Sequence, residues 1–245
     1  MKNIPRGCFV PRNNISGLFA LFFLIFSQSC AFKAGVVTES DLRKMTPAQA
    51  VARLEEGAKR FDNNQPTKYN WREQRYYLGK NGAFPPVVVL AGTDARTAPE
   101  LIFNQGLGDL FTLRAPASVV TNENVAAMEH ACQKGGAKVI VPLFQTKDPY
   151  IERAVDNDET GNIAAINYQL QPAITNVKRD PNWKRLRREE FLGLVLREHI
   201  TLSVQKIAAI SPILRGMIER GQVVIVAAIY DVENGKVTFL KGDER

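Results

Sequence analysis

Three apolar runs break off into small or polar residues, and the chain is best followed from them. Val87 to Ala91 is continuously apolar, then gives way to Gly92-Thr93-Asp94 before Pro99 opens a new apolar series. That order predicts a buried strand, a sharp turn and a helix over Pro99 to Gln105. Asp109 to Arg114 and Lys138 to Phe144 predict a second and a third strand. Between them, Thr121 to Lys134 is helical in spacing, with Val125, Met128 and Cys132 on one face and Gly135-Gly136 at its end. Gln222 to Tyr230 is a further apolar strand. Asp231 to Lys236 reads as a hairpin turn, and Val237 to Leu240 as the edge strand that returns from it. Buried strands alternating with helices predict an α/β fold: a central, mostly parallel sheet with helices on both faces and a carboxyl-terminal edge hairpin.

Helical patterns frame this sheet. Thr46-Pro47-Ala48-Gln49 is a capping box with proline at the first helical position, and Val51, Leu54, Ala58 and Phe61 then recur at helical spacing. The segment from Asp62 to Gly82 is polar and aromatic. It predicts an amino-terminal arm with a short helix, whose Tyr69, Trp71, Tyr76 and Tyr77 pack on the core or on a partner chain. Asn162 to Lys178 and Lys184 to Ala209 are helical in pattern, and Ser211-Pro212 caps a last helix that ends at Gly221.

The first 29 residues stand apart. Lys2, Arg6 and Arg12 precede the apolar run Ile15 to Phe26, and small residues lead to Cys30. This is the order of a secretory signal, and its apolar core of about 12 residues is short of the roughly 20 that a spanning helix needs. Residues 1–29 are therefore expected as a signal peptide, 30–45 as an exported linker and 46–245 as one domain, in the bacterial periplasm or cell envelope. Cys30 resembles the lipid-modified first residue of a mature lipoprotein, which would tether the chain to a membrane. Ser27-Gln28-Ser29 departs from the usual Leu-small-small approach, so simple cleavage near Ser29 stands beside lipidation.

Charge and cysteine content narrow the picture. The net charge is +7, from 32 Lys and Arg against 25 Asp and Glu; removing the three signal-segment cations leaves 29 against 25, or +4. That bias is too weak to argue for nucleic acid. The cluster Lys184, Arg185, Arg187, Arg188 runs straight into Glu189-Glu190, as on a solvated helix face. Beyond the signal segment only Cys30 and Cys132 remain, so no disulfide framework is implied.

Candidate chemistry lies in the turn after the first apolar run. Asp94 and Arg96, two residues apart, can converge as an acid and a base or tie the turn together as an ion pair. The run Asp94-Ala95-Arg96-Thr97-Ala98-Pro99-Glu100-Leu101-Ile102-Phe103-Asn104-Gln105-Gly106 resembles the Cys-Ser-Asp-Ser-Arg-x-x-Pro-Glu-x-Ile-Phe-Asp-Gln-Gly run of the β-class carbonic anhydrases. Ala50 to Phe61, Ser211 to Leu214 and Ala228 to Val237 resemble further parts of that family in the same order. The resemblance spans roughly residues 46 to 240 and implies a β-carbonic-anhydrase-like fold, a catalytic zinc and at least a homodimer.

The family's zinc ligands are a Cys ahead of the Ser-Asp-Ser-Arg run and a Gly-His-x-x-Cys set after the third strand. Residue by residue, Gly92 stands for the first Cys, Phe144 for the His and Lys147 for the second Cys. None is a zinc ligand, so no metal or other cofactor is expected. The family's Gly-Gln-x-Pro reads Gly82-Ala83-Phe84-Pro85, and its Arg-x-Ala-Gly-Asn reads Arg114-Ala115-Pro116-Ala117-Ser118. Asp94 and Arg96 survive as the catalytic dyad. His130 and Cys132 are two apart on one helix, about 200° around its axis, and His199 is remote, so no replacement zinc set is expected. Lys147 could neutralise Asp94, and Arg96 with Lys147 could hold a small anion such as bicarbonate. These readings describe a homodimeric or higher homo-oligomeric, zinc-free pseudoenzyme acting as a binding or structural module. The alternative is a carbonic anhydrase or related lyase with residual metal-independent activity.

Overall fold

In the computed structural model the described residues are 35–240, so the expected signal segment and Cys30 lie outside them. Helices α1 (Glu39–Lys44), α2 (Pro47–Asp62) and α3 (Trp71–Asn81) precede the sheet. Strands β1 (Val87–Ala91), β2 (Leu110–Arg114), β3 (Val139–Gln145), β4 (Val224–Ile225), β5 (Ala227–Tyr230) and β6 (Val237–Leu240) then alternate with α4 (Pro99–Ile102), α5 (Asn122–Gln133), α6 (Pro149–Val155), α7 (Ile163–Lys178), α8 (Arg188–Ile210) and α9 (Pro212–Glu219). The strand order is β2-β1-β3-β5-β6, with β4 also paired to β3. All pairings are parallel except β5 with β6, the expected edge hairpin.

Each face of the sheet buries its own core. Val88, Leu90, Ile140 and Phe144 point into one cluster with Val125, Met128, Leu170, Val195 and Ile207 from the later helices. Val87, Val89, Val141 and Leu143 point the other way, onto Ala50, Leu54 and Ala58 of α2 and onto Ile102 and Phe103. This period-two alternation inside runs that are apolar throughout explains why β1 and β3 are buried on both faces.

Several expectations are corrected. Residues 39–44, expected in a linker, form α1, closed by a Thr38–Asp41 capping box and anchored by the buried Leu42. Helix α6 was not expected, and α4 stops at Ile102, short of Gln105, where Asn104 takes a positive φ of 44°. Lys184 and Arg185 belong to a tight turn over Pro181–Arg185, so α8 starts only at Arg188, where Glu190 accepts from the Arg187 backbone N–H and guanidinium. The single strand expected over Gln222 to Tyr230 is split. Its two halves pair with Val139-Ile140 and with Leu143 to Gln145, and the gap lies beside Pro142, which has no N–H for the ladder.

The expected cap at Ser211 is present and is doubly used. Its buried hydroxyl oxygen accepts from the Leu214 N–H at 3.0 Å and donates to Glu129 Oε1 at 2.5 Å, joining α9 to α5. Ser211→Ala is expected to cost about 1–2 kcal/mol, read as a lower urea midpoint with an unchanged slope.

Candidate active site

Strand β1 ends at Ala91, and the chain turns through Gly92 to Asp94 at the carboxyl edge of the sheet. The Asp94 carboxylate is fully engaged. Oδ1 accepts from the Arg96 backbone N–H at 2.8 Å and Nε at 3.0 Å; Oδ2 accepts from Arg96 Nη2 at 2.7 Å and Gln145 Nε2 at 2.9 Å. The Arg96 hydrogen bonds come first among the causes that hold the Asp94 carboxyl well below the usual carboxylate range, and the same pairing raises Arg96. Arg114 braces this turn from β2, donating through Nε to Gly92 O at 2.6 Å and through Nη2 to Asp94 O at 2.8 Å.

Gln145, at the end of β3, is buried and spent on both sides: its Nε2 serves Asp94 and its Oε1 accepts the Thr97 hydroxyl. Three residues on, Asp148 caps α6, its Oδ1 accepting from Tyr150 N–H at 2.9 Å and Ile151 N–H at 3.3 Å. Ser118 Oγ donates to Leu143 O at 2.7 Å. These three side chains meet at Gly92. A Cβ built there would lie 3.6 Å from Gln145 Oε1, 3.8 Å from Asp148 Oδ2 and 3.8 Å from Ser118 Oγ, all ordinary contacts. Burial pushes the Asp148 carboxyl up to about 6, against the two backbone N–H bonds, with Asp94 and Glu152 adding to the rise.

Phe144 and Lys147 are not part of this convergence, which corrects the ligand positions expected for them from the resemblance. The Phe144 ring is buried in the opposite core, edge-on to His199 with centroids 5.4 Å apart. His199 in turn contacts Ala117 O through Nε2 at 2.9 Å, and burial pushes its imidazole down to about 4, so it is neutral and Nε2–H is the donor. Lys147 sits at a φ of 50°, and its half-exposed ammonium pairs with Glu233 Oε1 at 2.5 Å. Lys147 therefore does not neutralise Asp94. Only its backbone carbonyl reaches the dyad, accepting from Arg96 Nη2 at 3.4 Å. His130 and Cys132 lie on α5, and Cys132 is buried with its thiol pushed up to about 12 by desolvation.

The positions facing Gly92 are thus Gln145 and Asp148, one residue later than the sequence expectation. Their spacing is the same His-x-x-Cys spacing. Strand parity was the signal that could have found them: Phe144 shares a face with Ile140 in the core, whereas Gln145 does not.

The relatives agree with this architecture. A family model described as carbonic anhydrase matches residues 87–237, and the solved structure of the β-carbonic anhydrase CcaA superposes with a TM-score of 0.64 at 20% identity, over 79% of this chain and 96% of that one. The chain belongs to the β-carbonic anhydrase family. Carbonic anhydrase 2 of Mycobacterium tuberculosis is 26% identical over 198 residues, 79% of this chain and 92% of the relative. Two tetrameric β-carbonic anhydrases of Sordaria macrospora share the fold with a TM-score of 0.62 at 17% identity, over 79% of this chain and 94% of theirs.

Zinc, implied for a β-carbonic anhydrase, needs three or four converging N, S or O donors, with thiolate and imidazole foremost in sites of this kind. In this family member Gly92 offers no side-chain atom, Gln145 offers a neutral amide oxygen already in use, and Asp148 offers one free carboxylate oxygen. This donor set does not fit that ion. Among the described residues no group of three or more His, Cys, Asp or Glu side chains is placed to hold a metal.

Proposed function

We propose that this β-carbonic anhydrase family member is an exported protein that does not work through a zinc-bound hydroxide and serves as a non-catalytic binding or structural module. The observation that carries the reading is the set of side chains gathered at Gly92: an amide, a carboxyl and a hydroxyl, with neither thiolate nor imidazole. Zinc lowers the pKa of bound water from 15.7 to about 7, worth roughly 12 kcal/mol, and no described group at Gly92 supplies that. Any small-anion role falls to the N–H groups of the half-exposed Arg96 guanidinium that its pair with Asp94 does not use, since the Lys147 ammonium is held by Glu233. Export is supported by the basic-apolar-small order of the first 29 residues, with Cys30 as the candidate tether. Homo-oligomerisation is supported by the exposed Trp71, Tyr76, Leu101 and Leu107, and by the tetrameric relatives from Sordaria macrospora.

Stopped-flow carbon dioxide hydration, run on purified protein whose zinc content is measured on the same sample, tests the reading. The expected result is a rate equal to that of buffer and no stoichiometric zinc. A second reading, metal-independent lyase chemistry, draws on the contrast between an ionised Asp94 and an Asp148 whose carboxyl titrates near 6. Hydration above buffer that disappears in Asp94→Ala would favour it and overturn the first.

A further inference from the structure

Beside the Gly92 turn, a cavity of about 590 Å³ opens between the start of α6 and the first turns of α8. Its size lies within the range of small-molecule sites. Its floor is apolar, made by Ile151, Leu192 and Leu196, and a Cβ added at Gly193 on its wall would meet nothing within 4 Å. Four acids line it, Asp148, Glu152, Glu189 and Glu233, against two bases, Lys147 and Arg188.

Both bases are already taken. Lys147 pairs with Glu233, and Arg188 makes a two-pronged pair with Asp156, at 2.6 Å and 2.8 Å. Glu152 and Glu189 have no ion pair among the described residues. Asp148 is the telling group. It is only 6% exposed, both of its hydrogen bonds fall on Oδ1, and Arg96, the cation whose charge reaches it, is spent on Asp94 and makes no ion pair with it. A buried carboxylate without an ion pair of its own is costly to keep, which makes a cationic occupant the natural complement. The apolar floor favours a carbon skeleton over a bare metal ion, which would call for oxygen donors all round.

We propose that this cavity binds an organic cation, an alkylammonium whose nitrogen faces Asp148, Glu152 and Glu189 and whose chain lies on Ile151, Leu192 and Leu196. The cavity shares Gln145 and Asp148 with the Gly92 site, so the carbon dioxide hydration rate and the zinc content of the same sample are read separately to test the functional reading above.

The test is isothermal titration of the full chain with n-hexylamine, alongside 1-hexanol and hexanoate as neutral and anionic isosteres. The amine is expected to bind at least about tenfold more tightly than either isostere, since each 1.4 kcal/mol is tenfold. Glu152→Gln/Glu189→Gln is expected to lose at least about tenfold of that affinity, which is some 1.4 kcal/mol. Gly193→Leu, which adds bulk at the cavity wall without changing a charge, is expected to weaken amine and alcohol alike. Circular dichroism on each variant confirms that it is folded. Equal binding of amine and hexanol, tighter binding of hexanoate, or full amine affinity in the Glu152→Gln/Glu189→Gln variant would each overturn the proposal.

Discussion

Gly92→Cys/Gln145→His/Asp148→Cys is expected to bind one zinc ion per chain at micromolar zinc, where the unaltered protein is expected to bind none stoichiometrically. The three replaced side chains surround one point, and a Cβ at Gly92 has ordinary 3.6–3.8 Å clearance, so the new thiolate enters without displacing backbone. Structural zinc sites made of thiolate and imidazole gain roughly 10–16 kcal/mol on binding. Against this, losing the Asp148 cap of α6 costs about 1 kcal/mol. The control is Gly92→Cys/Phe144→His/Lys147→Cys, the set that the sequence resemblance alone implies. Here the new imidazole would face the core beside His199, and the second thiol would start from a residue whose side chain extends to Glu233. It is expected to bind no zinc and to be the less stable protein. Elemental analysis after gel filtration reads both variants, and zinc in the control but not in the first would refute the assignment of Gln145 and Asp148.

Asp148→Asn is expected to make the protein more stable at pH 8. The carboxyl titrates at about 6 in the folded chain, above its ordinary 3.8. Between those two values the folded state holds a proton that the unfolded state has released, so stability falls as pH rises through this window, and above about 6 the penalty is complete. A shift of this size is worth roughly 2–3 kcal/mol. Asparagine keeps the α6 cap, being about as good as aspartate at that position, and carries no charge to desolvate. Urea denaturation of the two proteins should therefore give nearly equal stabilities at pH 4 and a difference that grows to its full value by pH 7. A variant less stable than the parent at pH 8 would show that the buried carboxylate is compensated after all. Saturating n-hexylamine should shrink the difference between the two proteins.

Much of the fold is legible from local pattern. The runs at Val87 and Val139 are strands because β-branched and leucine residues follow one another without polar interruption, and the capping box at Thr46 marks the start of α2 to the residue. What escaped was short or shaped by neighbours. Helices α1 and α6 carry one and two buried residues respectively, too few for a periodicity to emerge. The β4–β5 break arises from Pro142 on the adjacent strand, which no reading of residues 222–230 alone can register.

The candidate site divides along the same line. Sequence by itself determined what is chemically missing: glycine at 92 has no ligand atom in any fold, and Asp94 with Arg96, two residues apart, were bound to be neighbours. It could not decide which residues of β3 and the following loop meet that glycine. Phe144 with Lys147 and Gln145 with Asp148 have the same spacing, and a one-residue slip exchanges the two faces of a strand. Only the tertiary structure, by pairing β3 in parallel with β1 and burying Phe144 against His199 on one face, turned Gln145 toward Asp94 and left Asp148 at the rim of a cavity.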